Sequence, residues 1–325
     1  MDMTNVRRIV SRPARDVESG RWGLRPGLRD GFQLGRFLLT GLSLVAFIAA
    51  NSGCGLTRRA TIAAAGNSLA GLTQSIRSQP DPELVRAGLP ALMLTIDGLL
   101  VENPDSSGLL RAAVGAYVTY CQAFVSGEDD SDRAYKLYGQ ARGYGLRLLE
   151  QRPAFADFST KSLEECEAAL ARARPDDVPD LYLLGSAWLG WIIASNGAVA
   201  ALAELPKALA LMERVLDLDE SYGGGSSHLV FGVFFAVQPQ GAGQDLERSR
   251  RHFARAIELA GTGSLMPRVL YAEYYGKATL DETFFTKTLE DVLNSIPAEY
   301  PQERLLNELA QERARTLLRA RKHIF

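Results

Sequence analysis

From Leu56 to the C-terminus, apolar residues recur at intervals of three and four, the period of a helix with one face turned to a core. The stretch TIAAAGNSLAGLTQSI sets Ile62, Leu69, Leu72 and Ile76 on one such face. PDPELVRAGLPALMLTIDGLLVENP opens with Asp81 as a cap and Pro82 at the first helical position, and Pro90 should kink it. SSGLLRAAVGAYVTYCQAFVSG is apolar almost all round and predicts a central, buried helix. Further helices are predicted over 131–151, 160–174, 178–195, 203–218, 226–236, 245–260, 264–276, 281–295 and 301–322. Ser162 and Glu165 form a capping pair for the second of these, and Asn196-Gly197 closes the third. No run of β-branched residues alternates with polar ones, so no strand is predicted.

Three segments end alike: AYKLYGQARGYGLRLLEQRP, ALALMERVLDLDESY and LERSRRHFARAIELAGTG. Each has small residues where two helices would press together, then an amphipathic turn and a breaker. RHFARAIELA looks like the second helix of a tetratricopeptide (TPR) repeat. Aligning Leu216 with Ile257 gives a period of 41 residues, against about 34 for a regular array. The expected fold is all-α: TPR-like helical hairpins with insertions, stacked into a solenoid or superhelix with a concave face. No linker is long enough to part it into two domains.

Composition changes the picture at one end. Residues 1–53 carry eight arginines against four acids, a net +4, and the remaining 28 basic and 34 acidic residues leave −6. An acidic body lacks the electrostatic footprint of a nucleic-acid partner. After the basic stretch comes FLLTGLSLVAFIAA, uncharged and too short for a comfortable bilayer crossing, then NSGC ending at Cys54. This resembles a bacterial lipobox, with Asn51 where leucine is preferred. The expectation is a lipoprotein-type signal over 1–53, lipidation of Cys54, and a single helical domain over 54–325. The anchor would hold it in the periplasm, and Gly55, in place of an inner-membrane retention aspartate, favours the outer membrane. In such an oxidising compartment Cys121 and Cys166 could pair only if their helices are neighbours; buried free thiols are the simpler expectation.

Chemistry is sparse. The histidines are His228, His252 and His323, the latter two expected on the surface, and no HExxH, CxxC or Walker sequence occurs. The run SYGGGSSH could cradle a phosphate at a helix N-terminus, but no lysine completes it and no strand precedes it. It reads more simply as a helix end in left-handed conformation at Gly223–Gly225, with Ser226 or Ser227 capping the next helix. His228 then falls in the first turn of a buried helix, where it could meet a carboxylate such as Asp219 or line a cavity. QPQGAGQD is a loop with Asp245 as cap. Trp188 and Trp191, Phe231, Phe234 and Phe235, and Tyr271, Tyr274 and Tyr275 sit at helical spacings that suit core packing or the wall of an apolar pocket. Nothing points to a cofactor, a metal or an enzyme.

The blocks LYLLGSAWLGWI, LMERVLDLDESYGGGSSHLVFGVFFA, DLERSRRHFARAIELA, LMPRVLYAEYYG, DETFFTKTLEDVLNS and LLNELAQERARTLL, in this order over Leu181 to about Leu318, resemble the T component of TRAP transporters (the TatT family). The resemblance implies a periplasmic TPR-like lipoprotein that forms homotrimers. It implies as partner the substrate-binding (P) component of a tripartite transporter, and as ligand a small hydrophobic or organic-acid molecule. Trp188, Tyr222, His228, Tyr271 and Tyr275 are the positions expected to meet ligand or partner. The alternative is a TPR-like lipoprotein scaffold for envelope assembly that grips peptides or proteins.

Overall fold

The computed structural model describes residues 75–125, 130–241 and 243–325, all within the second of two units, Met1–Arg58 and Arg59–Phe325. The signal segment 1–53, Cys54 and the face carrying Ile62, Leu69 and Leu72 lie outside those residues. Among the described residues every regular element is helical: α1 (Pro82–Glu102), α2 (Ser107–Phe124), α3 (Ser131–Glu150), α4 (Leu163–Leu170), α5 (Val178–Ala194), α6 (Val199–Leu202), α7 (Leu205–Leu218), α8 (Tyr222–Val237) and α9 (Leu246–Ala260). Then α10 starts at Met266–Leu270, widens into a π-helix over Tyr271–Gly276 and closes as Lys277–Thr279. It is followed by α11 (Glu282–Leu293) and α12 (Arg304–Ile324).

The start signals work as read. Asp81 Oδ1 accepts from the amides of Glu83 and Leu84, Ser162 and Glu165 form a capping box, and Asp245 Oδ1 accepts from the amide of Arg248. Asn196 and Gly197, both at positive φ, end α5. Three expectations shift. α1 runs on past Pro90 without a break. The element expected over 160–174 shrinks to α4, because Phe158–Thr160 forms a 3-10 turn and Ser162 caps the α-helix only after it. Pro301 likewise starts a 3-10 turn, which delays α12 to Arg304.

Successive helices pack on one another: α1 on α2, α2 on α3, α3 on α5, α5 on α7, α7 on α8, α8 on α9, and α11 on α12. α2 is enclosed as its apolar girth demands, with Leu109, Leu110, Val114, Tyr117, Cys121 and Phe124 buried. α3 and α5 meet tightly at one glycine. A Cβ on Gly190 would come to 2.3 Å from the Tyr138 ring, so only glycine lets that ring lie flat on the helix. One core cluster joins α3, α4, α5, α7 and α8 around Trp188; another joins α1, α2, α3 and the start of α12. Cys166 lies in the first and Cys121 in the second, and both are buried free thiols.

Candidate functional site

The glycine run resolves as a hinge in geometry. Gly223, Gly224 and Gly225 have φ of 60°, 67° and 76°, the left-handed region open to glycine. The chain turns there between α7 and the long apolar part of α8. Neither serine caps α8 as expected: Ser226 Oγ donates to Gly223 O, and Ser227 Oγ reaches Met212 Sδ. Asp219, the expected partner of His228, instead accepts from the amide and hydroxyl of Ser221.

The turn sets His228 against α9. Its Nδ1 lies 2.8 Å from His252 Nδ1 and its Nε2 lies 3.0 Å from Glu220 Oε1. Glu220 also takes a fork from Arg255, at 2.9 Å to Oε1 and 2.7 Å to Oε2. Arg255 binds Glu258 as well, at 2.8 Å. Arg248 stacks over the Phe235 ring at 3.9 Å, and Arg251 reaches Glu247 only at 3.8 Å. His228, Arg248, Arg251, His252 and Arg255 together line an open cleft of about 200 Å³. Gly232 makes the α8–α9 pairing this close, with Ser249 Oγ donating to its carbonyl at 2.7 Å and Phe253 pressed against its Cα side.

The electrostatics follow from that geometry. Hydrogen bonds from Arg255 and then His228 pull the Glu220 carboxyl down to about 2, so it is ionised and purely an acceptor. Burial, the charge on His228 and the neighbouring arginines push His252 down to about 4. An unfolded imidazole titrates near 6.5, so the unfolded chain takes the proton first. Stability is therefore full above about 6.5 and falls as pH drops toward 4. The loss expected by then is about 1–2 kcal/mol, allowing for solvent screening. Urea unfolding of the chain and of His252→Gln at neutral and at acid pH checks this. The unsubstituted chain should lose more on acidification, and equal losses would mean the site does not hold His252 neutral.

The other candidate positions do not converge on this cleft. Trp188 is fully buried, with the Arg142 guanidinium 4.4 Å above its ring and 4.7 Å from Trp191. Arg142 also donates to Glu204 at 2.8 Å. The indole N–H of Trp188 has no hydrogen-bond partner among the described residues. Tyr222 packs edge-on against Tyr182, near a charged knot at the start of α5. There Asp180, 1% exposed, accepts from Arg111 at 2.7 and 3.1 Å and from Arg152 at 3.0 Å, and Arg152 also pairs with Asp177. Tyr271 stacks on Phe253 at 5.1 Å and packs at a tilt against Tyr275 at 5.0 Å, with Phe284 completing the group. Four separate groups thus hold the five expected residues: His228 in the cleft, Trp188 beneath Arg142, Tyr222 against Tyr182, and Tyr271 with Tyr275.

Sequence reasoning missed Glu220, Arg248, Arg251 and Arg255, and placed His252 on the surface, where it is half-buried against His228. The signal existed in RSRRHFAR: positions 248, 251, 252 and 255 share a helix face. His323 is exposed as expected. No group of three potential metal ligands is arranged to hold an ion among the described residues.

The model of one protein family, the TRAP transporter T-component, matches residues 78–325. An uncharacterised protein of Treponema pallidum (strain Nichols) is 26% identical over 263 residues, which cover 76% of this chain and 81% of that protein.

Proposed function

We propose, since this chain belongs to the TRAP transporter T-component family, that it serves a TRAP transport system as an accessory protein docking the periplasmic P component. The observation that carries this is the extent of the match, which takes in nearly every described residue. In the same reading the successive helix pairs are TPR-like hairpins stacked as a solenoid, and Cys54 carries the lipid that holds the domain in the periplasm, at the outer membrane. A small hydrophobic or organic-acid ligand belongs to this reading too, and catalysis does not.

Self-association, in the trimers that the family resemblance implies, draws support from an exposed face of α1. Leu84, Ala87, Ala91, Leu94, Gly98 and Val101 follow one another at steps of three and four and all face outward. Leu84, Leu94 and Val101 are 58%, 72% and 83% exposed. Val85, Leu89, Met93, Ile96 and Leu100 fill the inward face, so the helix is apolar on both sides. An apolar stripe left uncovered among the described residues supports a protein contact, and this spacing is that of a helix seam.

Native mass spectrometry of the full chain, alone and mixed with the TRAP-type solute-binding protein of its host, tests both parts. Trimers that take up the binding protein are expected, with Leu94→Lys leaving a folded monomer because its side chain touches little within the subunit. A monomer that ignores every such binding protein would end the transport reading.

A further inference from the structure

We propose that the cleft between α8 and α9 binds a small oxyanion together with one proton, which the His228–His252 pair takes up. The first ground is charge. Arg248, Arg251 and Arg255 line the cleft from α9, and Glu220, on the turn before α8, is the acid that meets the pair. Arg255 is spent on Glu220 and Glu258. Arg251 shares Glu247 with Arg250, which binds it twice, at 3.0 and 2.7 Å. Arg248 has no carboxylate within ion-pair distance among the described residues; the Phe235 ring orients its guanidinium and leaves its N–H groups to a ligand. Four arginines, Arg248, Arg250, Arg251 and Arg255, therefore meet three acids, Glu220, Glu247 and Glu258, and Arg248 is the cation left without one among the described residues. Phe231 and Phe235, packed against the His252 ring at 5.5 and 5.7 Å, make an apolar wall behind.

The second ground is the hydrogen-bond chain, whose directions are forced. Glu220 can only accept, so His228 must give its Nε2–H to it. When the pair is uncharged, His228 Nδ1 is a lone pair and His252 must donate its Nδ1–H across the 2.8 Å contact. The remaining nitrogen of His252, Nε2, is then also a lone pair, which repels an oxyanion. One added proton reverses the chain. His228 becomes an imidazolium that donates from both nitrogens, and His252 accepts at Nδ1 and carries its own proton on Nε2. A lone pair has become a donor, and the cleft has gained a charge. Anion and proton therefore favour each other, by the reciprocity of linked binding.

Benzenesulfonate is the probe, because it stays ionised throughout and any pH dependence must come from the protein. Calorimetric titration of the full chain at pH about 5.5 and about 8, spanning the range of an imidazole, should show binding about tenfold or more tighter at the lower value. Repeating it in buffers of different ionisation heat should show net proton uptake on binding. Arg248→Gln, or Arg251→Gln as a second exposed position, should weaken binding at both pH values. His252→Gln should abolish the proton uptake. Sulfate binding as tightly as benzenesulfonate would support the oxyanion site and remove the phenylalanine wall from recognition. Binding independent of pH, binding untouched by both arginine variants, or no heat with either anion would each overturn the proposal. None of these outcomes depends on whether a P component docks.

Discussion

Trp188→Ala should lower folding stability by about 3–5 kcal/mol, whereas Trp188→Phe should lose less than about 2 kcal/mol. The large loss follows from complete enclosure: the indole has no exposed edge and belongs to the central cluster that also holds Leu184, Met212 and Phe231. The small loss follows from the unpartnered N–H. Phenylalanine keeps most of the apolar area and the face beneath Arg142, and it discards a buried donor that has nothing to bond among the described residues. Urea denaturation of the two variants measures both numbers. A mild effect of alanine would mean that the space around Trp188 is a ligand cavity, able to collapse or fill with solvent, and would return this residue to the binding candidates.

Gly225→Ala is expected to cost about 2–4 kcal/mol, adding a left-handed backbone penalty to an overpacking one. At φ 76° an L side chain is strained in any surroundings, and here its Cβ would come within 2.8 Å of Leu259 Cδ1 and 3.0 Å of Leu259 Cβ. Gly223→Ala is the control. It carries the same backbone penalty, but its Cβ meets only the Ser226 side chain, nearest at 3.2 Å, so about 1–2 kcal/mol is expected. Thermal or urea unfolding of the pair separates the two contributions. Equal losses would show that α9 yields at Leu259, and that the spacing between His228 and His252 is not set by this turn.

The helical class and most helix boundaries were legible because they are local. Asp81, Ser162 and Asp245 announce helix starts by their own side chains, and Asn196-Gly197 announces an end. The left-handed glycines were legible for the same reason. The π-turn at Tyr271–Gly276 was not, since YAEYYG has the composition of an ordinary α-helix, and the partners of its first ring, Phe253 and Phe284, come from other elements. The cleft was half visible. RSRRHFAR shows a basic face, but its reading as solvated surface could not be corrected without knowing that the glycine turn would fold His228 onto it. Glu220 rather than Asp219 became the partner because Asp219 is consumed by Ser221, a contact of two residues' span that competes with any distant one. The surplus of charge sits on α9 itself, four arginines against two glutamates, and what the fold adds to it is Glu220 and the second imidazole.

The π-turn bears on chain length. A turn closed by i→i+5 bonds holds one residue more than an α turn. The helix from Met266 to Thr279 therefore stores a spare residue in its middle, with Val269 and Ala272 still directed into the core ahead of it and Gly276 still against Phe285 behind. Deleting one residue there should return the turn to α-helix without calling for a new loop or re-aiming the helix on either side. Tyr271 and Tyr275 sit inside this adjustable stretch, so their placement against Phe284 is the part of the aromatic group most open to drift, while the His228–His252 pair, fastened at Gly225 and Gly232, is the part least free to move.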